Sequence, residues 1–106
     1  MGFSLKKQNK YRNIPTFIDG IRFASKKEAQ RYRELKILEQ QGQIKDLELQ
    51  PKFPMNPGFT YVGDFSYKTN GKLIVEDVKG VITQVFSLKK KCFHYFYPEM
   101  ELRIVR

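Results

Sequence analysis

The spacing of apolar positions along this chain changes from two, to three and four, and back to two, and the switches mark its elements. In "IPTFIDGIRFAS" short apolar runs flank Asp19-Gly20, which reads as the two-residue turn of a β-hairpin. In "SKKEAQRYRELKILEQQG", Ala29, Tyr32, Leu35 and Leu38 fall at helical spacing over Ser25 to Gly42. Ser25 with Glu28 three residues on fits a capping box, and Gly42 is a C-terminal stop. Alternation then resumes. "QIKDLELQ" puts Leu47 and Leu49 on one face and is limited by Pro51. "FTYVGDFSY" reads as a single strand with Phe59, Tyr61, Phe65 and Tyr67 on one side and Thr60, Val62, Asp64 and Ser66 on the other. Asn70-Gly71 turns the chain into "KLIVEDVKG"; Thr83 caps a second helix, "QVFSLKKKCFHYFY", ended by Pro98; "MELRIVR" is the last strand.

After the N-terminal hairpin the core order is therefore helix, strand, strand, strand, helix, strand. A helix between the third and fourth strands makes a crossover, so those two strands are expected to lie parallel, with a right-handed connection. The second and third strands form a tight antiparallel hairpin. The expected fold is α/β or α+β: one mixed sheet flanked by helices, its middle strands buried on both faces. No repeat or low-complexity segment interrupts it. At 106 residues the chain suffices for one domain with a real core, placed at 14–106, preceded by a polar, basic and mobile arm over 1–13.

The strand "LIVEDVKG" is the anomaly in this pattern. A buried ionised carboxylate costs several kcal/mol unless a cation, a metal or hydrogen-bond donors compensate it. Period two puts Leu73, Val75, Asp77 and Lys79 on one face, and Ile74, Glu76 and Val78 on the other. Pairing about Asn70-Gly71 brings Asp64 near Asp77 if their faces coincide. Two carboxylates and a lysine then meet, which is the usual logic of a Mg²⁺ or Mn²⁺ site. Taken singly, each has a plainer explanation: an aspartate at a solvent-facing sheet edge, a lysine snorkelling at a strand end. Glu28 is sufficiently explained by its cap, yet it also continues the Tyr32 and Leu35 stripe, from which it could reach the same site.

Charge adds a partner to this picture. Twenty Lys and Arg against eleven Asp and Glu give a net charge of +9, and the first 33 residues hold nine of the basic side chains but only Asp19 and Glu28 among the acids. Such a field favours polyanions, nucleic acid first and anionic membrane second. One cysteine, Cys92, cannot form an internal disulfide and fits a reducing compartment; the opening "MGFSLKKQNKYRN" lacks an apolar signal region, and no apolar run approaches the ~20 residues that cross a bilayer. A cytoplasmic location without membrane attachment is expected. With one Cys and one His, zinc-finger and two-histidine zinc chemistry are unsupported, and His94 reads as a packed or surface histidine. The aromatics of "CFHYFY" read as core rather than as base-stacking platforms.

Asp64, then a thirteen-residue step to Asp77-Val78-Lys79 at a strand end, within this order of elements, resembles the PD-(D/E)xK nuclease superfamily, which includes restriction endonucleases and phage-type Holliday-junction resolvases. The likeness spans about Phe23 to Val105. More narrowly, "FASKKEAQRYRELKIL", "LELQPKF", "YVGDFSY", "VEDVKG" and "TQVFSLKKK" are similar to a phage and prophage family assigned to that superfamily. The resemblance implies a restriction-endonuclease-like core and a Mg²⁺- or Mn²⁺-dependent endodeoxyribonuclease. Asp64, Asp77 and Glu28 would be the metal-binding carboxylates, and Lys79 the lysine of the motif. Gly63 stands where the superfamily's name has proline, a residue without chemistry of its own; Gln84 stands where some members keep a polar side chain.

The DNA backbone is expected to follow Lys89, Lys90 and Lys91 on the second helix, Lys26, Lys27, Arg31 and Arg33 on the first, and Lys6, Lys7, Lys10 and Arg12 in the arm. With no separate recognition domain, branched or otherwise structured DNA is the favoured substrate. Because one site cuts one strand, a homodimer is expected. The rival from another class is a nucleic-acid-binding protein that keeps the fold without catalysis or needs a partner.

Overall fold

The computed structural model describes residues 15–55 and 58–106; the basic arm expected over 1–13 lies outside them. In chain order the elements are β1 (Thr16–Ile18), β2 (Ile21–Phe23), α1 (Lys26–Gln40), β3 (Lys45–Leu49), β4 (Lys52–Met55), β5 (Phe59–Val62), β6 (Phe65–Thr69), β7 (Lys72–Val78), α2 (Gln84–Phe96) and β8 (Glu101–Val105). The fold is mixed α+β, with two helices and a mixed sheet among the described residues. The chain groups into two compact units, one up to Ile37 and one from Leu38 to Arg106, and each is described by itself. No helix among the described residues is long and apolar enough to cross a membrane.

In the first unit β1 and β2 pair antiparallel through the Asp19-Gly20 turn, with Ile18 opposite Ile21. Both turn residues have positive φ, 54° and 75°, as a two-residue hairpin loop of this hand requires. The Tyr32 hydroxyl donates to Asp19 Oδ2 (3.0 Å) and its ring packs on Phe23, so α1 is tied to the hairpin at its tip and at its end. The expected Ser25 cap forms, the Glu28 N–H donating to Ser25 Oγ (3.2 Å), but Glu28 Oε1 accepts from the N–H of Ala24, one residue before the cap (3.0 Å), in place of the Ser25 N–H of a closed capping box. The far end of α1 closes in the second unit. There the Gly42 N–H donates to Glu39 O and the Gln43 N–H to Leu38 O, the paired bonds of a Schellman stop with Gly42 at φ 78°.

The second unit is built on a four-stranded sheet in the order β3-β6-β7-β8. β6 pairs antiparallel with β3 and with β7, the latter about the Asn70-Gly71 turn. β7 and β8 are parallel, as the crossover through α2 predicts. β6 and β7 are the central strands, and Phe65, Ser66, Tyr67, Ile74, Val75, Glu76 and Asp77 are all buried, so this part of the sheet is covered on both faces. On the α2 face, Val75 packs with Phe86 and Phe93 of the helix and with Phe53, Met55 and Tyr61. Phe93 is the hub, meeting the rings of Phe53 (5.1 Å), Tyr97 (5.3 Å) and Tyr61 (5.6 Å).

Two strand readings need correction. "FTYVGDFSY" is not one strand: β5 leaves to pair with β4 in a separate two-stranded sheet, and β6 joins the main sheet. The β4–β5 hairpin itself was not expected. The break falls at Gly63-Asp64, where a Cβ on Gly63 would stand 2.8 Å from Val75 Cγ1; only glycine lets the backbone pass this close to the core. The Gly63 N–H bonds Pro51 O (3.0 Å) and the Asp64 N–H bonds Glu76 O (2.9 Å), so the two residues face different strands. The single alternating face therefore splits: Tyr61 enters the α2 core, whereas the Tyr67 hydroxyl reaches Glu76.

Candidate active site at the end of β7

β7 carries its two acids to opposite faces, as alternation requires. Glu76 is wholly buried, and its Oε2 accepts from the Tyr67 hydroxyl (2.5 Å). Asp77 is 5 % exposed and belongs to the face that carries Lys79. Its Oδ2 accepts from the Tyr61 hydroxyl, and its Oδ1 lies 3.2 Å from Lys79 Nζ. Burial compensated by a donor and a cation is the arrangement that a carboxylate in a strand requires.

Asp64 reaches this point from the other side of the β6–β7 hairpin. Phe65 pairs with Glu76, the last pair of the ladder, and the Asp64 N–H bonds Glu76 O (2.9 Å), so Asp64 lies just past the regular register at the end of β7. Its Oδ2 accepts from the Val78 N–H (2.6 Å). Asp77 and Lys79 meet directly, and Asp64 is held at the amide of Val78, the residue between them. Tyr61 reports both acids: burial first, then the hydrogen bond to Asp77 and the charges of Asp77 and Asp64, push its hydroxyl far above the ordinary phenol range. The phenol stays protonated and acts at Asp77 as a donor.

Lys79 is held from three sides. Its N–H donates to Val105 O (2.9 Å), which continues the β7–β8 pairing past the last strand residue. Its Nζ sits over the Phe86 ring at 4.5 Å, a cation–π contact, and bonds Asp77. Phe86 is placed in turn by the start of α2, where Thr83 Oγ1 accepts from the Phe86 N–H (3.1 Å). An open cleft of about 310 Å³ lies here, lined by Tyr61, Asp77, Lys79, Thr83, Phe86 and Lys89 among others.

The remaining expected residues lie within their own units. Glu28 lies in the first unit, with its carboxylate on the Ala24 N–H. Lys26 and Lys27 are exposed. Arg31 is half-buried and pairs with Glu34 at 2.8 Å, a bond that lowers the Glu34 pKa and draws the guanidinium into the helix's own surface. Gln84 opens α2 and is exposed; Lys89, Lys90 and Lys91 are exposed along it, with Lys89 at the cleft. His94 is exposed.

Two side chains of this region were not singled out from the sequence. Tyr61 and Tyr67 read as apolar face residues, and their hydroxyls are what hold Asp77 and Glu76. A tyrosine where phenylalanine would suffice, one strand away from a buried acid, was the available signal.

The donor chemistry suits a hard cation: Asp64 and Asp77 offer carboxylate oxygens, as Mg²⁺ and Mn²⁺ require. No three His, Cys, Asp or Glu side chains among the described residues stand together as a metal-holding group.

Fold and site together define a small mixed α+β protein in which a buried aspartate pairs with a lysine at the end of a central strand and a second aspartate bonds the backbone amide between them. The chain belongs to the family described as "Protein of unknown function (DUF1064)", whose model matches residues 8–106. None of the curated proteins matches it.

Proposed function

We propose that this chain is a divalent-metal-dependent endonuclease of the PD-(D/E)xK type, acting on structured DNA. The observation that carries the reading is the Asp77–Lys79 pair in the wall of a cleft that Lys89 also lines, with Asp64 bonded to the amide of the intervening Val78. The sheet order supports it: the hairpin β6–β7, the α2 crossover and the parallel β8 fit a restriction-endonuclease-like core, to which β4–β5 is an addition.

In this reading Asp64 and Asp77 hold Mg²⁺ or Mn²⁺. When bound, the cation supplies Lewis acidity toward a phosphate oxygen and makes water a stronger acid. Tyr61 fixes the Asp77 carboxylate, leaving one orientation for it to present. Lys79 places positive charge where the phosphate gains negative charge, and its contact with Phe86 limits its movement. Lys89 and the other α2 lysines meet the flanking phosphates.

A second reading has an observation of its own. Asp77 is already matched by Tyr61 and Lys79, and Asp64 by the Val78 amide, so the acids have partners without a metal. A nucleic-acid-binding protein that keeps the fold but does no chemistry would show the same. Linear, nicked, flapped and four-way DNA, each incubated with Mg²⁺ and with EDTA, separates the two. Cleavage in Mg²⁺ that EDTA stops and Asp77→Asn removes is the expected result; binding to these substrates with no strand cut in any would establish the second reading instead.

A further inference from the structure

α2 shows the core one side and leaves much of the rest bare. Tyr95 is 79 % exposed, although the aromatic run it belongs to reads from sequence as core; Phe93 alone of that run is wholly inside. Beside Tyr95 runs a groove of about 740 Å³, lined by Ile82, Phe86, Lys90, Lys91, His94 and Ile104 among others. Its floor is apolar and its rim is cationic. No Asp or Glu lines it among the described residues.

We infer that this groove takes unpaired bases of a nucleic-acid strand, with Tyr95 as the stacking platform and Lys90 and Lys91 at the phosphates. The chemistry of single-strand binding is an aromatic face for the base and a positive track for the backbone, and both stand here within about one and a half turns of helix. The Phe96 ring meets Tyr95 edge-on at 5.1 Å, so the platform has a fixed support. The charge argues against a second copy as the occupant: the chain carries +9, and self-association through this face would set lysine against lysine. The groove shares one wall with the candidate active site. Phe86 lines both, with Lys79 over its ring on the cleft side. From Phe86 to Tyr95 the helix rises roughly 13 Å, about the length of four stacked nucleotides. A strand of about four nucleotides held at the cleft is thus long enough to span to Tyr95.

This rests on the nucleic-acid part of the proposed function and needs none of its catalysis, so it is tested in EDTA. The probes are a labelled oligothymidylate and a blunt duplex of equal length, followed by fluorescence anisotropy with wild type, Tyr95→Ala, Tyr95→Phe and Lys91→Ala, whose melting temperatures confirm the fold. Tyr95→Ala should weaken single-strand binding by about 5- to 100-fold. Tyr95→Phe should keep most of it, Lys91→Ala should weaken it with a shallower salt dependence, and duplex affinity should hardly change for either Tyr95 variant. Single-strand affinity within about twofold of wild type for Tyr95→Ala, or an equal loss on duplex, would overturn the inference. So would a change of mass in light scattering on Tyr95→Ala with both affinities intact, which would assign the groove to contact between copies. Absence of cleavage in Mg²⁺ by a wild type that shows the expected binding pattern would remove the catalytic reading alone.

Discussion

Tyr61 donates its hydroxyl hydrogen bond to Asp77 from a different sheet: the tyrosine stands on β5, in the β4–β5 hairpin, and the aspartate on β7. The bond fixes a candidate metal-binding carboxylate and also ties the hairpin to the main sheet. Tyr61→Phe keeps the ring on Phe93 and removes only the donor. It should cost about 1–3 kcal/mol of stability in urea melts, because the acceptor left behind is buried. Cleavage in Mg²⁺ should fall by about 10- to 100-fold, the usual loss when the residue behind a ligand is removed. An unchanged rate would separate Asp77 from the chemistry.

The same hydroxyl sets a pH dependence. Its folded-state pKa is raised above the ordinary value of 10.0, chiefly by burial and then by Asp77. The unfolded chain therefore ionises this phenol first. The stabilisation is fully present below about pH 10 and is lost as pH rises further through the folded value. Lysines titrate in the same range, so the comparison must be internal. Above pH 10 the wild-type melting temperature should fall more steeply than that of Tyr61→Phe, and parallel slopes would contradict the assignment.

Glu76 and Asp77 offer a test of the site against the strand that carries it. Asp77→Asn should abolish Mg²⁺-dependent cleavage; its stability should change by no more than about 1 kcal/mol, since the Lys79 pair is partly exposed and asparagine still accepts from Tyr61. Glu76→Gln should behave oppositely. Its side chain is wholly buried and faces Tyr67, so a loss of about 1–3 kcal/mol with a nearly normal rate is expected. Equal loss of cleavage in both variants would make Glu76 part of the site.

What the sequence made legible was whatever depends on local period and turn chemistry. Asp19-Gly20, the Ser25 cap, the Gly42 stop, the Asn70-Gly71 hairpin and the Thr83 cap are each written in a few neighbouring residues, and each forms. The pairing of β6 with β7 down to Phe65 and Glu76 was legible too, because register about a two-residue turn is fixed. The β4–β5 hairpin was not. Alternation continues unbroken through Gly63, and a glycine inside a strand pattern marks a bulge or a close approach without saying which partner the chain leaves. The roles of Tyr61 and Tyr67 were hidden for a related reason, since a phenol's partner depends on which sheets meet. Tyr95 was misread because a helix this aromatic has more rings than its one core-facing side can bury.

The α2 lysines should show in the salt dependence of DNA binding. Each phosphate contact removed should lower the slope of log K against log[salt] by about 0.9 on duplex DNA. Lys89→Ala should produce such a change, since Lys89 lines the cleft and has the nearest claim on a phosphate there. Arg31→Ala should change the slope less, because Glu34 holds the guanidinium at 2.8 Å. A flat salt dependence in the wild type would remove the electrostatic track altogether.

Gly63 gives the last prediction, and it links packing to the site. A Cβ there would stand 2.8 Å from Val75 Cγ1, and Val75 is fully buried with a stiff, β-branched side chain that cannot swing away. Gly63→Ala should therefore cost about 1–3 kcal/mol, as overpacking of a tight core does. Val75→Ala alone should cost about 2 kcal/mol through lost burial and the cavity it leaves. If the contact is the cause, the double variant should lose less than the sum of the two, by roughly 0.5–3 kcal/mol, because the missing Cγ1 makes room for the new methyl. Strictly additive losses in a urea-melt cycle would mean that the backbone at Gly63, and not Val75, sets the requirement. The same series should be read in activity. Asp64 is the next residue, and its hydrogen bonds to Val78 and Glu76 lock it to β7. A shift of about 1 Å at a reacting site can cost roughly 10²-fold in rate. Gly63→Ala should therefore lose cleavage out of proportion to its stability, and the double variant should recover part of both.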